Sequence, residues 1–160
     1  MTGSTFVNLT RSEGTLAEKL RAGLDIRLLL WDACNETEIA GLIEHQGTSR
    51  KKIENEIKVA LALLVPMQKK FTNLEVCFYK TINLTDYIAV DIDSDDGLIK
   101  VQNRFYHEIP SNYPNFLIQR KSSPIWFDWY KKQIKSLWMD AVPLDNGYLK
   151  RFEAMYGAVM

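Results

Sequence analysis

Hydrophobic positions in the first half of the chain follow two different spacings. Residues 26–31 form an almost unbroken apolar run and residues 74–79 alternate apolar and polar side chains, which are both strand patterns. Apolar spacings of three and four residues predict three helices, over residues 13–24, 37–45 and 49–71. Pro66 lies inside the last helix, and proline removes a backbone hydrogen bond, so we expect that helix to kink or stop near Leu63. Because helices separate the two strands, we expect the strands to pair in parallel.

The second half of the chain consists mainly of short strand patterns. Strands are predicted over residues 87–92, 98–105 and 116–119. The turn sequence at 94–97 predicts an antiparallel hairpin between the first two of these strands. Pro124 marks the first position of an aromatic-rich helix, and a short terminal helix is predicted over residues 148–156. This order of elements predicts an α/β fold, a mixed β-sheet flanked by helices.

Length and composition are those of one globular domain. The chain has 160 residues, 46% of them hydrophobic and 25% charged, so we predict a single domain over residues 1–160. The apolar segment at residues 5–10 begins so abruptly that we expect the domain to lack its first strand.

Charge and cysteine content narrow the functional classes. Twenty basic residues balance twenty acidic ones, which argues against a nucleic-acid partner and leaves self-association unopposed by net charge. Cys34 and Cys77 are too few for a disulfide scaffold, and both are expected to be reduced. No apolar run is long enough for a membrane span and no signal peptide precedes the domain, so we predict a cytoplasmic protein with no membrane partner.

The densest polar cluster contains four aspartates, Asp91, Asp93, Asp95 and Asp96. The first three have the spacing of calcium ligands in an EF-hand, but Asp96 stands where that loop needs glycine and Gln102 where it needs glutamate. A hairpin turn with solvated carboxylates is therefore favoured over a metal site. The sequence contains no motif for a nucleophile, a phosphate-binding loop or a zinc site, and we predict no cofactor and no catalytic residues.

Aromatic side chains concentrate in the helix that follows Pro124. Trp126, Trp129 and Tyr130 share one helical face because they are three and four residues apart. Two interpretations stay open for this face: it packs against the sheet, or it forms a partner surface, where Trp and Tyr are enriched.

The order of features resembles one half of the phospholipase D-like fold, in particular bacterial sensor or accessory domains of that fold. The segments that carry the resemblance read RAGLDIRLLLWD, LEVCFYK, DYIAVDID and SSPIWFDWYKKQIKSLWMDA, and together they extend over most of the chain. The family's chemistry needs His-x-Lys-x-x-x-x-Asp. Here Asp86 replaces the histidine, Ile88 replaces the lysine, and only Asp93 fits. The resemblance therefore implies the fold and argues against the activity, while the dimerisation of single-motif relatives could persist.

Our leading hypothesis is a non-catalytic ligand-binding or sensor module, acting as a homodimer or as part of a larger bacterial protein. Its ligand, a phosphorylated small molecule, is expected at the carboxyl ends of the strands near Asp32, Asn35 and Asp93. The first alternative is a divergent metal-dependent phosphodiesterase or nuclease that uses Asp91 and Asp93. The second alternative is a protein–protein interaction module that uses the face of Trp126, Trp129 and Tyr130.

Overall fold

The computed structural model describes residues 13–81, 84–108 and 112–158. The helices in these ranges are α1 (Glu13–Arg21), α2 (Glu36–Gln46), α3 (Arg50–Lys70), α4 (Pro124–Met139) and α5 (Asn146–Tyr156). The strands are β1 (Ile26–Trp31), β2 (Leu74–Tyr79), β3 (Thr85–Val90), β4 (Leu98–Asn103), β5 (Asn115–Gln119) and β6 (Val142–Pro143). The mixed α/β class is confirmed. The apolar segment at residues 5–10 lies outside the described residues.

The strands pair in two three-stranded sheets, β1-β2-β6 and β3-β4-β5, and the single mixed sheet that we predicted does not form among the described residues. The reason is that β4 takes a neighbour on each side from its own part of the chain, while β2 pairs with β1 and β6. The chain divides accordingly into two compact units, residues 1–82 with 141–160, and residues 83–140. The single-domain organisation stays a prediction.

The first unit is built around the parallel pair of β1 and β2. Ile26 lies opposite Leu74 and Trp31 opposite Tyr79, so the parallel pairing predicted from the intervening helices is confirmed. β6 then pairs with β2 in the antiparallel sense. The core of this unit is formed by apolar side chains from both strands and all the helices of the unit, including Leu20, Leu30, Ile39, Ile57, Leu61, Leu64, Val76, Phe78 and Phe152.

Of the two outcomes predicted for Pro66, a kink or a stop, the stop near Leu63 is wrong, because helix α3 continues through Pro66 to Lys70. An interior proline costs about 3 kcal/mol in a helix. Each large apolar side chain that is buried contributes about 1.5–3 kcal/mol, and Leu64 and Met67 are buried on either side of the proline. Continued packing of the helix therefore offsets the missing hydrogen bond.

The second unit is an antiparallel sheet with α4 packed on one face. The hairpin between β3 and β4 confirms the pairing predicted from the turn at residues 94–97, and β5 joins β4 on the other side. Ile99, Val101 and Ile118 form its core together with Phe127 from α4. The helix begins at Pro124, as predicted, with Ser123 as its N-cap.

Candidate functional site

Four residues, 32–35, connect β1 to α2 in a tight polar loop at the carboxyl ends of the parallel strands. The backbone N–H of Asp32 donates to the carbonyl of Tyr79 at 3.0 Å, which extends the β1–β2 ladder by one bond. The Asp32 carboxylate, only 5% exposed, accepts a hydrogen bond from the Cys34 N–H at 2.9 Å. Asp32 is thus fixed at the place where open α/β sheets usually bind ligands.

Asn35 joins this loop to both neighbouring elements. Its side-chain oxygen accepts from the Glu38 N–H at 3.5 Å, which caps the N-terminus of α2. Its side-chain nitrogen donates to the carbonyl of Lys80 at 3.4 Å, just after β2. Asp32 and Asn35, both predicted as ligand-binding residues, therefore lie in one loop of the first unit.

Glu38 is the residue of this region that our sequence analysis missed. Its side chain is 6% exposed, and neither carboxyl oxygen has a hydrogen-bond partner among the described residues. Burial, and then the charge of nearby Asp32, raise the pKa of the Glu38 carboxyl to about 7. At neutral pH the carboxyl is therefore close to half protonated.

The spacing Asn35-x-x-Glu38 is that of a capping box, which the structure does not form. In a capping box the glutamate reaches back to the N-cap N–H. Here the Asn35 N–H donates instead to the Asp32 carbonyl at 3.2 Å, so the usual partner of the glutamate is already occupied. The carboxyl of Glu38 is left beside Asp32 without that hydrogen bond.

Two tyrosines of α5 form hydrogen bonds with the backbone of this loop. The Ala33 N–H donates to the Tyr148 hydroxyl at 3.3 Å, and the Tyr156 hydroxyl donates to the Ala33 carbonyl at 2.8 Å. The Tyr148 ring stacks on Phe78 with centroids 3.8 Å apart, and the Arg151 guanidinium lies 5.5 Å from the centre of the same ring. The loop is therefore held by backbone hydrogen bonds at Ala33, and the Glu38 side chain takes no part in them.

The Cys34 thiol, near the same carboxylates, is not an activated nucleophile. Burial, followed by the charge of Asp32, raises the pKa of the thiol above its ordinary value. A nucleophilic cysteine needs the opposite shift, toward the thiolate. Carboxyls and a neutral thiol together can bind a proton or a hydrogen-bond donor, but they supply no attacking group.

Asp93, the third predicted ligand-binding residue, lies in the second unit, in the turn between β3 and β4. Its carboxylate accepts from the Lys131 and Lys135 ammonium groups of α4 at 2.9 and 2.8 Å. Hydrogen bonds from Lys135 and then Lys131 lower the pKa of Asp93 to about 2. The carboxylate is thus already paired with two cations.

Two further aspartates of this turn also lie close to cations. Asp96 contacts the Lys121 ammonium, and Asp95 lies 3.9 Å from the Arg120 guanidinium. Within the described residues, no group of three or more histidines, cysteines and acidic residues is placed to hold a metal ion. The EF-hand spacing therefore coincides with an ion-paired hairpin turn.

The predicted aromatic face of α4 is divided between solvent and core. Trp126 and Trp129 are 63% and 74% exposed. Tyr130 is half-buried and packs against the rings of Tyr87 and Phe116 on the sheet, with centroids 6.0 and 6.3 Å apart. Tyr130 therefore packs against the sheet, as the first interpretation expects. Trp126 and Trp129 are exposed, as a partner surface requires.

The two positions at which the chain departs from the phospholipase D-like motif, Asp86 and Ile88, lie on β3. Asp86 accepts a hydrogen bond from Arg104 Nε at 3.1 Å and forms an ion pair with the same buried guanidinium. Ile88 is 57% exposed. Asp86 thus contributes to a structural ion pair, and an aliphatic side chain stands where the family has a lysine.

Comparison with known proteins gives no relative to guide the assignment. The chain matches no protein-family model, and no curated protein or solved structure is significantly similar to it. None of the helices in the described ranges combines the length and apolar character required to cross a membrane.

Proposed function

We propose that this chain is a non-catalytic ligand-binding or sensor module of phospholipase D-like fold, with its ligand bound beside Asp32 and Glu38. The observation that carries the proposal is the buried Glu38 carboxyl, which has no partner for either oxygen among the described residues. Buried polar groups nearly always have a partner, and leaving one unsatisfied costs about 1–3 kcal/mol. A ligand that donates hydrogen bonds to Glu38 recovers this free energy on binding.

The charge of the cluster favours a ligand with an ammonium or guanidinium group. Two adjacent carboxyls attract a cation, and a bound cation stabilises the ionised form of Glu38. A phosphate group would be repelled by Asp32, so a phosphorylated ligand would have to contact Arg151, the cation next to Tyr148. The phosphorylated ligand predicted above stays a prediction, and the two ligand classes depend on different residues.

The states of Cys34, Asp86 and Asp93 support a binding role over catalysis, because none of the three is an activated nucleophile or a free base. The Cys34 thiol has a raised pKa, because of burial and then Asp32. Asp86 and Asp93, which occupy two positions of the family motif, accept hydrogen bonds from Arg104, and from Lys131 and Lys135. A metal-dependent phosphodiesterase built on Asp91 and Asp93 would have to place its cation on a carboxylate that already pairs with two lysine ammonium groups.

A thermal-shift screen of the full chain tests the proposal. One arm contains small amines and guanidino compounds, and the other contains nucleotides and phosphorylated metabolites. A ligand at 100 times its Kd stabilises the folded state by about 2.7 kcal/mol, which corresponds to a rise in Tm of roughly 5–10 °C for a chain of this size.

Three variants separate the outcomes of this screen. For a cationic ligand, Glu38→Gln should abolish the rise in Tm, while Glu36→Gln should keep it, because Glu36 is in the same helical turn but its carboxylate is exposed and paired with Arg50. For a phosphorylated ligand, Arg151→Ala should abolish the rise instead. No stabilisation in either arm, or a ligand response unaffected by Glu38→Gln and Arg151→Ala, would overturn the proposed site.

A further inference from the structure

Helix α4 exposes large apolar side chains on the face opposite the sheet. Ile125, Trp126, Trp129 and Met139 are 77%, 63%, 74% and 83% exposed. With roughly 250 Å² for a whole aromatic side chain, the two indoles alone leave about 300 Å² of apolar surface uncovered. Apolar patches of this size on soluble monomers are often functional.

The exposed face has the spacing of a helix–helix seam. Ile125, Trp129, Lys132, Ser136 and Met139 succeed each other at intervals of four, three, four and three residues, which is the a/d spacing of a coiled coil. The buried Phe127 and half-buried Ile134 lie on the opposite side of the helix, against the sheet. The helix can therefore present this seam while its other side stays packed.

The seam is complementary to itself when a second copy runs in the opposite direction. A two-fold axis midway between Trp129 and Lys132 exchanges Trp129 with Lys132 and Ile125 with Ser136, while Met139 lies beyond the end of this symmetric part of the row. Each Trp129 then faces Lys132 of the second copy, where an ammonium over an indole is attractive. Each Ile125 faces Ser136 of the second copy, a large side chain against a small one. An interface of this kind uses the same patch on both partners.

The charges that flank the seam are complementary under the same axis. Asp128 and Lys135 occupy equivalent positions one heptad apart on one side of the seam. In an antiparallel pair, residues of this side face each other, so Asp128 of one copy lies opposite Lys135 of the other, whose ammonium also pairs with Asp93 of its own chain at 2.8 Å. In a parallel pair, Asp128 and Lys135 of one copy would instead lie close to the residues that flank the opposite side of the seam in the other copy.

We propose that two copies of this chain associate through α4, antiparallel about a two-fold axis between Trp129 and Lys132. The occupant of the exposed face is a second copy because, between residues 125 and 136, the seam and the charges beside it are complementary to those of a second copy that runs in the reverse direction. One helix per partner provides less area than the roughly 800 Å² that each side of a standard interface buries. The dimer is therefore weak, with a Kd in the micromolar range or above.

Analytical ultracentrifugation of the full chain from micromolar to near-millimolar concentration tests the association. We expect a reversible monomer–dimer equilibrium. Trp129→Glu should raise the Kd at least about tenfold, as expected for an aromatic at the centre of an interface. Leu117→Glu is the matched control, because Leu117 is an equally apolar residue, 56% exposed, on a strand of the same unit. It should leave the Kd unchanged.

Cysteine cross-linking tests the direction of the helices. The double variant Ile125→Cys, Ser136→Cys should form a disulfide-linked dimer on mild oxidation, whereas Ile125→Cys alone should not, because the axis places the two copies of residue 125 at opposite ends of the seam. A chain that stays monomeric throughout overturns the proposal. Equal weakening by Trp129→Glu and Leu117→Glu, or efficient cross-linking of Ile125→Cys alone, also overturns it.

Discussion

Replacing the buried Glu38 with glutamine should stabilise the protein at neutral and alkaline pH. In the unfolded chain the Glu38 carboxyl titrates near 4.5, and in the folded chain its pKa is about 7 because of burial and then Asp32. Below about pH 4.5 both states hold the proton, and the contribution of Glu38 to stability is fully present. As the pH rises to 7, the unfolded state releases the proton first, so stability falls until both states are ionised.

The size of this effect follows from the difference between the two pKa values. One pKa unit corresponds to 1.36 kcal/mol, and after a reduction for screening by solvent the wild-type chain loses about 2–3 kcal/mol between the two pKa values. Glutamine has nearly the same shape and does not titrate. Glu38→Gln should therefore be more stable than the wild type by about 2–3 kcal/mol at pH 8, and the difference should shrink toward pH 4.

Urea denaturation of both chains between pH 4 and pH 8 measures this difference directly. Glu36→Gln serves as the control, because it removes an exposed carboxylate from the same helical turn and should leave the slope between pH 5 and 7 unchanged. Parallel pH profiles for the wild type and Glu38→Gln would show that folding does not raise the pKa of Glu38, which would remove the basis for the binding site. A variant that is less stable than the wild type at pH 8 would have the same consequence.

Three further changes have defined outcomes. Asp32→Asn should lower the pH at which Glu38 titrates, measured by NMR of the Glu38 carboxyl, because the charge of Asp32 contributes to the raised pKa. Gly97→Ala should destabilise the second unit by about 1–3 kcal/mol in urea, since an added Cβ would lie 2.6 Å from the Phe127 ring. Asp93→Asn should reduce stability at neutral pH, and the acid-induced loss that the wild type shows as the pH falls from 3.8 toward 2 should become smaller, because Lys135 and Lys131 lower the pKa of Asp93.

Each of these changes has a matched control in the chain. Glu36→Gln, the control for Asp32→Asn, should leave the pKa of the Glu38 carboxyl unchanged. Gly14→Ala should be neutral or stabilising by about 0.5–1 kcal/mol, because alanine is favoured over glycine within a helix. Apart from its own helical turn, the added Cβ would have no atom of the described residues within 4 Å. Asp95→Asn should have less effect than Asp93→Asn, since the ion pair of Asp95 with Arg120 is 3.9 Å long whereas both lysines lie within 2.9 Å of Asp93. Equal effects within any of these pairs would contradict the contact on which the prediction depends.

Local sequence pattern was sufficient for most elements of the fold but not for their grouping. The strands Ile26–Trp31 and Leu74–Tyr79 have the predicted bounds, because an apolar run between turn signals leaves few alternatives. The division into two sheets depends on which strands pair, and pairing is decided by tertiary contacts that hydrophobic spacing does not encode. Pro66 failed as a helix-stop signal for the same reason, since buried neighbours outweighed its local cost.

The candidate site was predictable only in its location. Polar residues after an apolar strand indicate a strand end, and Asp32 and Asn35 lie there. The same reasoning also selected Asp93, whose carboxylate is occupied by two lysines that are about forty residues away in sequence. Glu38 was missed because a glutamate three residues after an N-cap normally indicates a capping box at the surface. Its isolation arises only because Asn35 donates its backbone N–H to Asp32, a hydrogen bond of the folded loop. The residue on which the proposed site depends most is therefore one whose local sequence signal is ordinary and whose environment is created by the fold.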